Sequence, residues 1–166
     1  VQELLKLRQA SCSVYADEIP KEEWKRILLR EGDRTDAILV LGGDGTMLRA
    51  ARDTADSQIP MLGINLGTLG YLTEVEKSGM EDAIDRLVAG SYQVEDRMML
   101  CGQIYRQGRM EEENSALNDI TITRCGHLRM LYFQIYVNGK LLKEYHADGI
   151  IIATPTGSTG YNMSAG

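Results

Sequence analysis

The chain has 166 residues, enough for one large domain or two small ones, and its 43% hydrophobic and 25% charged residues are typical of a folded globular protein. Its 18 basic residues against 24 acidic ones give a formal net charge of −6, which argues against nonspecific binding to nucleic-acid backbones. Its apolar runs fall far short of the roughly 20 residues that cross a bilayer, so we expect no membrane partner.

The first part of the chain, up to about Gly90, alternates between helix-like and strand-like segments. This alternation predicts an α/β domain with a parallel, Rossmann-like sheet. Spacing of apolar residues predicts a first helix around Leu4, then a short strand over residues 13–16. A second helix is expected to begin at Pro20, where a missing N–H is tolerated, and to end near Gly32.

Two apolar runs, residues 36–41 and 60–65, predict parallel strands of the same sheet. The first run is continuous, which is typical of a strand buried on both faces. A helix is expected over residues 46–55, and another from a Ser78 cap to about Val88.

After Gly90, a plausible helix stop, the pattern changes to the two-residue alternation of strands. We expect strands over residues 98–106, 117–123, 131–137 and 140–145, with Asn138-Gly139 as a hairpin turn and another turn at residues 107–109. The chain is therefore divided into an α/β domain, residues 1–90, and part of an antiparallel all-β domain, residues 91–166.

Cysteine and acidic residues give weaker signals. Cys12, Cys101 and Cys125 form no CxxC pair, which predicts reduced thiols in a cytoplasmic protein, buried as small hydrophobic side chains. The run from Glu111 to Glu113 predicts a solvated loop rather than a metal site, because consecutive carboxylates cannot all face one ion. No metal-ligating cluster of side chains is expected.

The segment Gly42-Gly43-Asp44-Gly45-Thr46 lies between a predicted buried strand and a helix. Glycines let the backbone approach a ligand closely, and N–H groups at the start of a helix favour an anion such as phosphate. Ligands of open α/β sheets bind at this edge. Asp44 has three candidate tasks: it accepts a proton from an attacking hydroxyl, it bridges to Mg²⁺ on the phosphates, or it caps the helix.

Glycine and hydroxyl residues recur in further segments. Residues 63–71, with glycines at 63, 67 and 70, predict close packing against a ligand or the first loop, or an ordinary strand exit. Residues 148–164 carry hydroxyls, glycines and Tyr161, which suit phosphate oxygens, ribose hydroxyls and a base, although such a stretch is often a plain loop.

Asn118-Asp119 begins a predicted strand, and Asn118 suits a purine edge, a ribose hydroxyl or a local Asx turn.

Taken together and in this order, these segments resemble the NAD kinase family, whose members phosphorylate the 2′-hydroxyl of the adenosine ribose of NAD. The glycine-rich loop at residues 42–46 is shared with diacylglycerol-kinase-like lipid kinases. The run Thr-Pro-Thr-Gly-Ser-Thr-Gly-Tyr at residues 154–161 is much more specific to NAD kinases. The resemblance covers about residues 36–166.

The resemblance implies that Asp44 is the general base toward the ribose hydroxyl, and that Asn118 and Asp148 hold the ribose and nicotinamide portions of NAD. The nucleotide-binding residues that it implies are Gly43, Gly45, Thr46, Tyr71, Asn118, Asp119, Asp148, Thr156, Thr159, Gly160, Tyr161 and Ser164. It implies phosphoryl transfer to NAD from ATP, or from inorganic polyphosphate, giving NADP. Mg²⁺ or another divalent cation would accompany ATP, in a cytoplasmic homodimer or homotetramer.

Some features depart from the family pattern. Tyr71 stands where phenylalanine is common, and Asp119 where glutamate is usual. The family has a further strand before the first helix and continues past the position of Ser164, so we expect a chain cut at both ends. Two alternatives are left open. One is a lipid kinase, which the net negative charge disfavours because such an enzyme is expected to carry basic residues toward the membrane. The other is a nonenzymatic nucleotide-binding fragment.

Overall fold

The structure, a computed structural model, describes residues 1–15, 19–28, 34–68, 70–126 and 129–165. The chain forms two compact units, Val1–Asp96 and Arg97–Gly166. The predicted end of the second helix near Gly32 lies outside the described residues, as does the last residue of the strand expected over residues 13–16. Within the described ranges, no helix has the length and apolar character needed to cross a membrane.

The first unit contains a parallel sheet, as predicted. Among the described residues its strands, in sheet order, are β1 (Ile38–Leu41), β2 (Met61–Asn65) and β3 (Val75–Glu76). The prediction that the first strand is buried throughout is wrong in part: Val40 is buried, but Leu41 is 41% exposed where the chain leaves the sheet.

Helices of this unit lie close to the predicted positions. They are α1 (Gln2–Leu7), α2 (Lys21–Leu28), α3 (Asp44–Thr54) and α4 (Met80–Val88). Helix α3 begins at Asp44 instead of Thr46, so the carboxylate belongs to the first helical turn. The strand expected from residue 13 is wrong over residues 13–15, which are exposed and unpaired with any described strand.

The ends of α4 test two predictions. Ser78 does not cap the helix, because it lies in the 3₁₀ turn Lys77–Gly79, one residue ahead of the N-cap position. The stop at Gly90 is confirmed: its φ is +68°, and the following N–H of Ser91 donates to the carbonyl of Arg86 at 2.8 Å. A left-handed glycine of this kind closes many helices by pairing their last carbonyls.

The second unit consists mainly of antiparallel strand pairs, as predicted. Strands β4 (Leu100–Arg106) and β5 (Arg109–Ala116) form one hairpin, and β7 (Leu131–Val137) and β8 (Lys140–Ala147) form another. Strand β6 (Asp119–Thr123) pairs with β9 (Gly149–Ala153). Both hairpin turns use positive φ, at residues 107–108 and at Asn138-Gly139, as the Asn-Gly signal indicated.

Other predictions for this unit need correction. Glu111 to Glu113 are exposed but lie in β5, not in a loop. After β9, the segment expected to be a loop forms a 3₁₀ turn, Gly157–Thr159, and the short helix α5 (Tyr161–Ser164). The prediction of buried thiols is also wrong, because all three cysteines are exposed.

Burial concentrates on a few side chains. Ile64 in β2 and Ile84 in α4 are both 0% exposed, and Val40 is 5% exposed. The buried polar side chains among the described residues are Thr54, Asn65, Thr73 and Thr154. All but Thr54 lie in the motifs or beside them, where they position the site described below.

Ile84→Ala should lower the free energy of unfolding by about 2–5 kcal/mol, because it removes a fully buried side chain and leaves a cavity. The matched control is Val88→Ala in the same helix, where Val88 is 45% exposed and the change should stay within about 1 kcal/mol. Urea unfolding followed by circular dichroism measures both. Equal losses would show that α4 does not pack as described.

Candidate functional site

The glycine-rich loop joins β1 to α3. The N–H of Gly42 donates to the carbonyl of Ile64 at 3.0 Å, which ties the loop to the end of β2. A Cβ on Gly42 would lie 2.5 Å from Oγ1 of Thr46, whereas positions 43 and 45 have no atom within 4 Å of an added Cβ. Open space therefore borders the first turn of α3, where a helix presents unpaired N–H groups to an anion.

Asp44 is held by the second glycine segment. Its Oδ2 accepts a hydrogen bond of 2.7 Å from the N–H of Tyr71, and its Oδ1 accepts one of 3.0 Å from the N–H of Leu72. The Thr73 hydroxyl donates to Oδ1 at 3.4 Å. A Cβ on Gly70 would overlap this carboxylate, so the position needs glycine. The first two motifs therefore pack together, one of the alternatives left open by the sequence.

The helix-cap alternative for Asp44 is wrong. Gly43 occupies the N-cap position in an extended conformation, and Asp44 is the first helical residue. Its carboxylate accepts hydrogen bonds from residues 27 to 29 positions later in the chain. A capping side chain would accept from N–H groups of its own helix, whereas this carboxylate connects the helix to a different loop.

Asn65 and Thr73 support this arrangement, and neither was singled out from the sequence as a site residue. The Asn65 amide nitrogen donates to the Thr68 carbonyl at 2.8 Å and to the Thr73 hydroxyl at 2.9 Å. Its amide oxygen accepts from the N–H of Gly67 at 2.7 Å. Both side chains are nearly inaccessible, with 2% and 1% exposure. The available signal was a polar residue at the end of a predicted buried strand.

The pKa of Asp44 is lowered overall. Partial burial by itself raises this pKa, but the backbone hydrogen bonds from Tyr71, Leu72 and Thr73, with the Thr73 hydroxyl, stabilise the carboxylate and outweigh it. The group is therefore ionised at neutral pH.

A second polar cluster lies in the second unit, around Thr154. Its hydroxyl donates to the carbonyl of Leu117 at 2.6 Å and accepts from the N–H of Gly157 at 3.0 Å. Its own N–H donates to the carbonyl of Asn118 at 2.8 Å. A Cβ on Gly157 would overlap the Asn118 backbone, so these two segments are in close contact. This contact fixes the start of β6 beside the hydroxyl-rich segment.

The side-chain oxygen Oδ1 of Asn118 is buried, and within the described part of the chain it has no hydrogen-bond partner. An Asx turn uses this oxygen as its acceptor, so that alternative is wrong for Asn118. A buried polar atom left unpaired is destabilising unless a further group supplies a partner. The atom thus marks a place where a bound molecule could donate a hydrogen bond.

The remaining predicted site residues are more accessible. Asp148 has a 74% exposed side chain that pairs with Arg124 at 3.0 Å, and Asp119 accepts from the Thr121 hydroxyl at 3.2 Å. Tyr71 and Tyr161 expose their rings, while only the backbone of Tyr71 bonds to Asp44. The others in this segment are Thr156, which is half-buried, and the exposed Thr159, Gly160 and Ser164. Leu69 of the second motif lies outside the described residues.

A metal site built by the protein needs several ligating side chains close together. Across the described ranges, no three His, Cys, Asp or Glu side chains come together as a metal site. A cation would therefore need oxygen ligands from a bound molecule or from water.

Asp44→Asn should lower the free energy of unfolding by about 1–3 kcal/mol at neutral pH, because the amide offers one acceptor oxygen instead of two to several donors. The loss should shrink under acid. The pKa of Asp44 is lower in the folded state, so its stabilisation is present above the ordinary aspartate value of about 4 and is lost as pH falls through the folded pKa.

Thermal unfolding of the wild type and Asp44→Asn at pH 7 and in steps below about pH 4 measures this difference. A difference that stays constant across the series would contradict the hydrogen bonds assigned to the ionised carboxylate.

Gly70→Ala should lower stability by about 1–3 kcal/mol, because the new methyl overlaps the Asp44 carboxylate and forces the two loops apart. Gly45→Ala is the matched control, since Gly45 lies in helix α3 with open space around its Cβ. Alanine there should be neutral or stabilise by up to about 1 kcal/mol. Differential scanning calorimetry compares the two, and similar losses would refute the contact.

Two family models match this chain, one in its first part and one in its second. The family model described as the ATP-NAD kinase N-terminal domain matches residues 2–92, and the one described as the ATP-NAD kinase C-terminal domain matches residues 117–166. The NAD kinase of Agathobacter rectalis is 58% identical over 132 residues, which are 80% of this chain and 46% of that protein. The NAD kinase of Lachnospira eligens is 47% identical over 134 residues, covering 81% and 46%.

Solved structures agree. Yeast NADH kinase complexed with NADH matches with a TM-score of 0.73 and 32% identity, over 81% of this chain and 40% of that one. An NAD kinase from Archaeoglobus fulgidus in complex with ATP matches with a TM-score of 0.74 and 26% identity, over 99% and 59%. The chain spans a little under half the length of the curated relatives it matches. With both family models and these relatives in agreement, the chain belongs to the ATP-NAD kinase family.

Proposed function

We propose that the protein is an NAD kinase, which transfers a phosphoryl group from ATP to the 2′-hydroxyl of the adenosine ribose of NAD and gives NADP. The observation that carries this proposal is the ionised carboxylate of Asp44, the first residue of α3, which is held by the backbone N–H groups of Tyr71 and Leu72. The space over Gly43 and Gly45 is open for phosphates. The names of the curated relatives support the same activity.

Asp44 acts as the general base in this proposal. A lowered pKa makes it a weak base, but it is present as the carboxylate at every physiological pH. A weak base is sufficient, because the hydroxyl becomes acidic as its oxygen bonds to phosphorus, and the loose transition state of phosphoryl transfer demands little deprotonation before that point. The proton therefore moves to Asp44 late in the transfer. Positioning and charge stabilisation supply most of the rate.

The glycine-rich loop and α3 would receive the phosphates. The N–H groups of the first helical turn favour negative charge, and the exposed Thr46 hydroxyl adds a donor. Mg²⁺ or another divalent cation would enter with ATP, as the family resemblance implies, and would take most of its oxygen ligands from phosphates and water. When bound, the ion neutralises charge on the phosphoryl oxygens.

The polar cluster of the second unit would bind the dinucleotide. An amino or hydroxyl group of NAD donating to the unpaired Oδ1 of Asn118 would satisfy that buried atom. On the family resemblance, further nucleotide contacts of this unit would come from carboxylates, hydroxyls, a glycine and an exposed tyrosine ring that suit the ribose and nicotinamide portions: Asp119, Asp148, Thr156, Thr159, Gly160, Tyr161 and Ser164. The same resemblance makes Tyr71 a nucleotide-binding residue of the first unit.

The donor and assembly are part of the proposal. ATP is favoured over inorganic polyphosphate, because the Archaeoglobus fulgidus relative is in complex with ATP. The yeast relative is complexed with NADH, so the reduced dinucleotide is a second acceptor to assay. A cytoplasmic homodimer or homotetramer is proposed on the family resemblance, and the free cysteines are consistent with a reducing compartment.

Full-length protein incubated with NAD, ATP and Mg²⁺ should form NADP. Asp44→Asn should reduce kcat by at least about a hundredfold while NAD affinity, measured by calorimetry, is largely kept, because the base is lost and not the binding contacts. Asp82→Asn makes the same charge change at an exposed aspartate of α4 and should leave kcat unchanged.

Other outcomes separate the alternatives. NAD binding without any NADP would indicate a nucleotide-binding protein without turnover. Phosphorylation of diacylglycerol instead of NAD would identify a lipid kinase. Wild-type turnover by Asp44→Asn would remove Asp44 from the base role.

A further inference from the structure

The two oxygens of the Asp44 carboxylate are not equivalent. Oδ1 accepts from the N–H of Leu72 at 3.0 Å and from the Thr73 hydroxyl at 3.4 Å, while Oδ2 accepts from the N–H of Tyr71 at 2.7 Å. A carboxylate oxygen has room for about two hydrogen bonds. The contacts from Leu72 and the Thr73 hydroxyl fill Oδ1, and the backbone N–H of Thr73 is a further donor to the carboxylate.

Asn65 decides where the Thr73 hydroxyl points. A hydroxyl has one proton to donate, and the Asn65 amide nitrogen approaches Oγ1 of Thr73 at 2.9 Å as a donor. The opposite amide orientation would place the Asn65 oxygen against the Thr68 carbonyl, and would turn its NH₂ group toward the N–H of Gly67. Asn65 therefore donates, Thr73 must accept from it, and the Thr73 proton is left for Asp44.

We propose that Thr73, oriented by Asn65, is a positioning residue: its hydroxyl occupies Oδ1 of Asp44 and so holds the carboxylate in one orientation toward the acceptor hydroxyl. This inference rests on the proposed kinase activity and names a residue that orients its base. Burial supports it, since Thr73 and Asn65 are 1% and 2% exposed and are shielded from competing water. No covalent step involves either side chain: the proton passes from the substrate hydroxyl to the Asp44 carboxylate.

The test compares Thr73→Val with Thr73→Ser in the full-length protein. Valine keeps the shape of threonine without the hydroxyl, whereas serine keeps the hydroxyl and loses the methyl group. We expect Thr73→Val to lower kcat roughly three- to tenfold with KM for NAD nearly unchanged, the effect of one weak hydrogen bond to a charged group. Thr73→Ser should retain most of the wild-type kcat.

The pH profile of kcat gives a readout that packing alone would not move. The Thr73 hydroxyl lowers the pKa of Asp44, so its removal raises that pKa and the acidic limb of the profile should shift to higher pH in Thr73→Val only. Thr73→Ala is a second variant without the hydroxyl, and thermal unfolding of each variant reports folding separately.

Two results would overturn the proposal: a wild-type kcat and pH profile in both hydroxyl-free variants, or equal losses in Thr73→Ser and Thr73→Val. Failure of the kinase assignment is a different result, because the wild-type protein would then form no NADP under any condition.

Discussion

The carboxylate of Asp44 needs partners, and this need shapes the first unit. A partly buried charge is tolerated only where donors surround it, and here the donors are backbone N–H groups of Tyr71 and Leu72. The loop after β1 and the loop after β2 must therefore meet at one point. Gly70 has no side chain because the carboxylate occupies that volume. The spacing and composition of two motifs follow from one set of hydrogen bonds.

The same physical solution recurs in the second unit. Thr154 is a buried threonine at the end of a strand. It donates hydrogen bonds to the backbone carbonyls of Leu117 and Asn118, and it accepts one from the N–H of Gly157. Buried hydroxyl and amide groups are destabilising unless they are paired. Thr154 is fully paired and thereby holds Asn118, whose own Oδ1 is left without a partner among the described residues. Paired buried groups hold the candidate site residues in place.

The hydrogen bonds that orient the Asp44 carboxylate also make it a weaker base. Each hydrogen bond that fixes the carboxylate also stabilises its charge and so lowers its pKa. A stronger base would need fewer donors and would be less well oriented. An oriented, weak base would suit the proposed phosphoryl transfer, because proton transfer comes late in such reactions and geometry contributes more than driving force.

The sequence by itself predicted the alternation of helices and strands, both hairpin turns and the positions of the motifs, because apolar periodicity and turn residues are local properties. It also pointed to Asp44 and Asn118, whose polar side chains stand at the ends of predicted strands. It failed where tertiary packing decides which side chains are buried or paired: the exposed cysteines, the helix start at Asp44, and the buried side chains of Asn65 and Thr73. Only the tertiary structure brings Thr73 to a carboxylate 29 residues earlier, since no local pattern encodes which donors a buried oxygen will find.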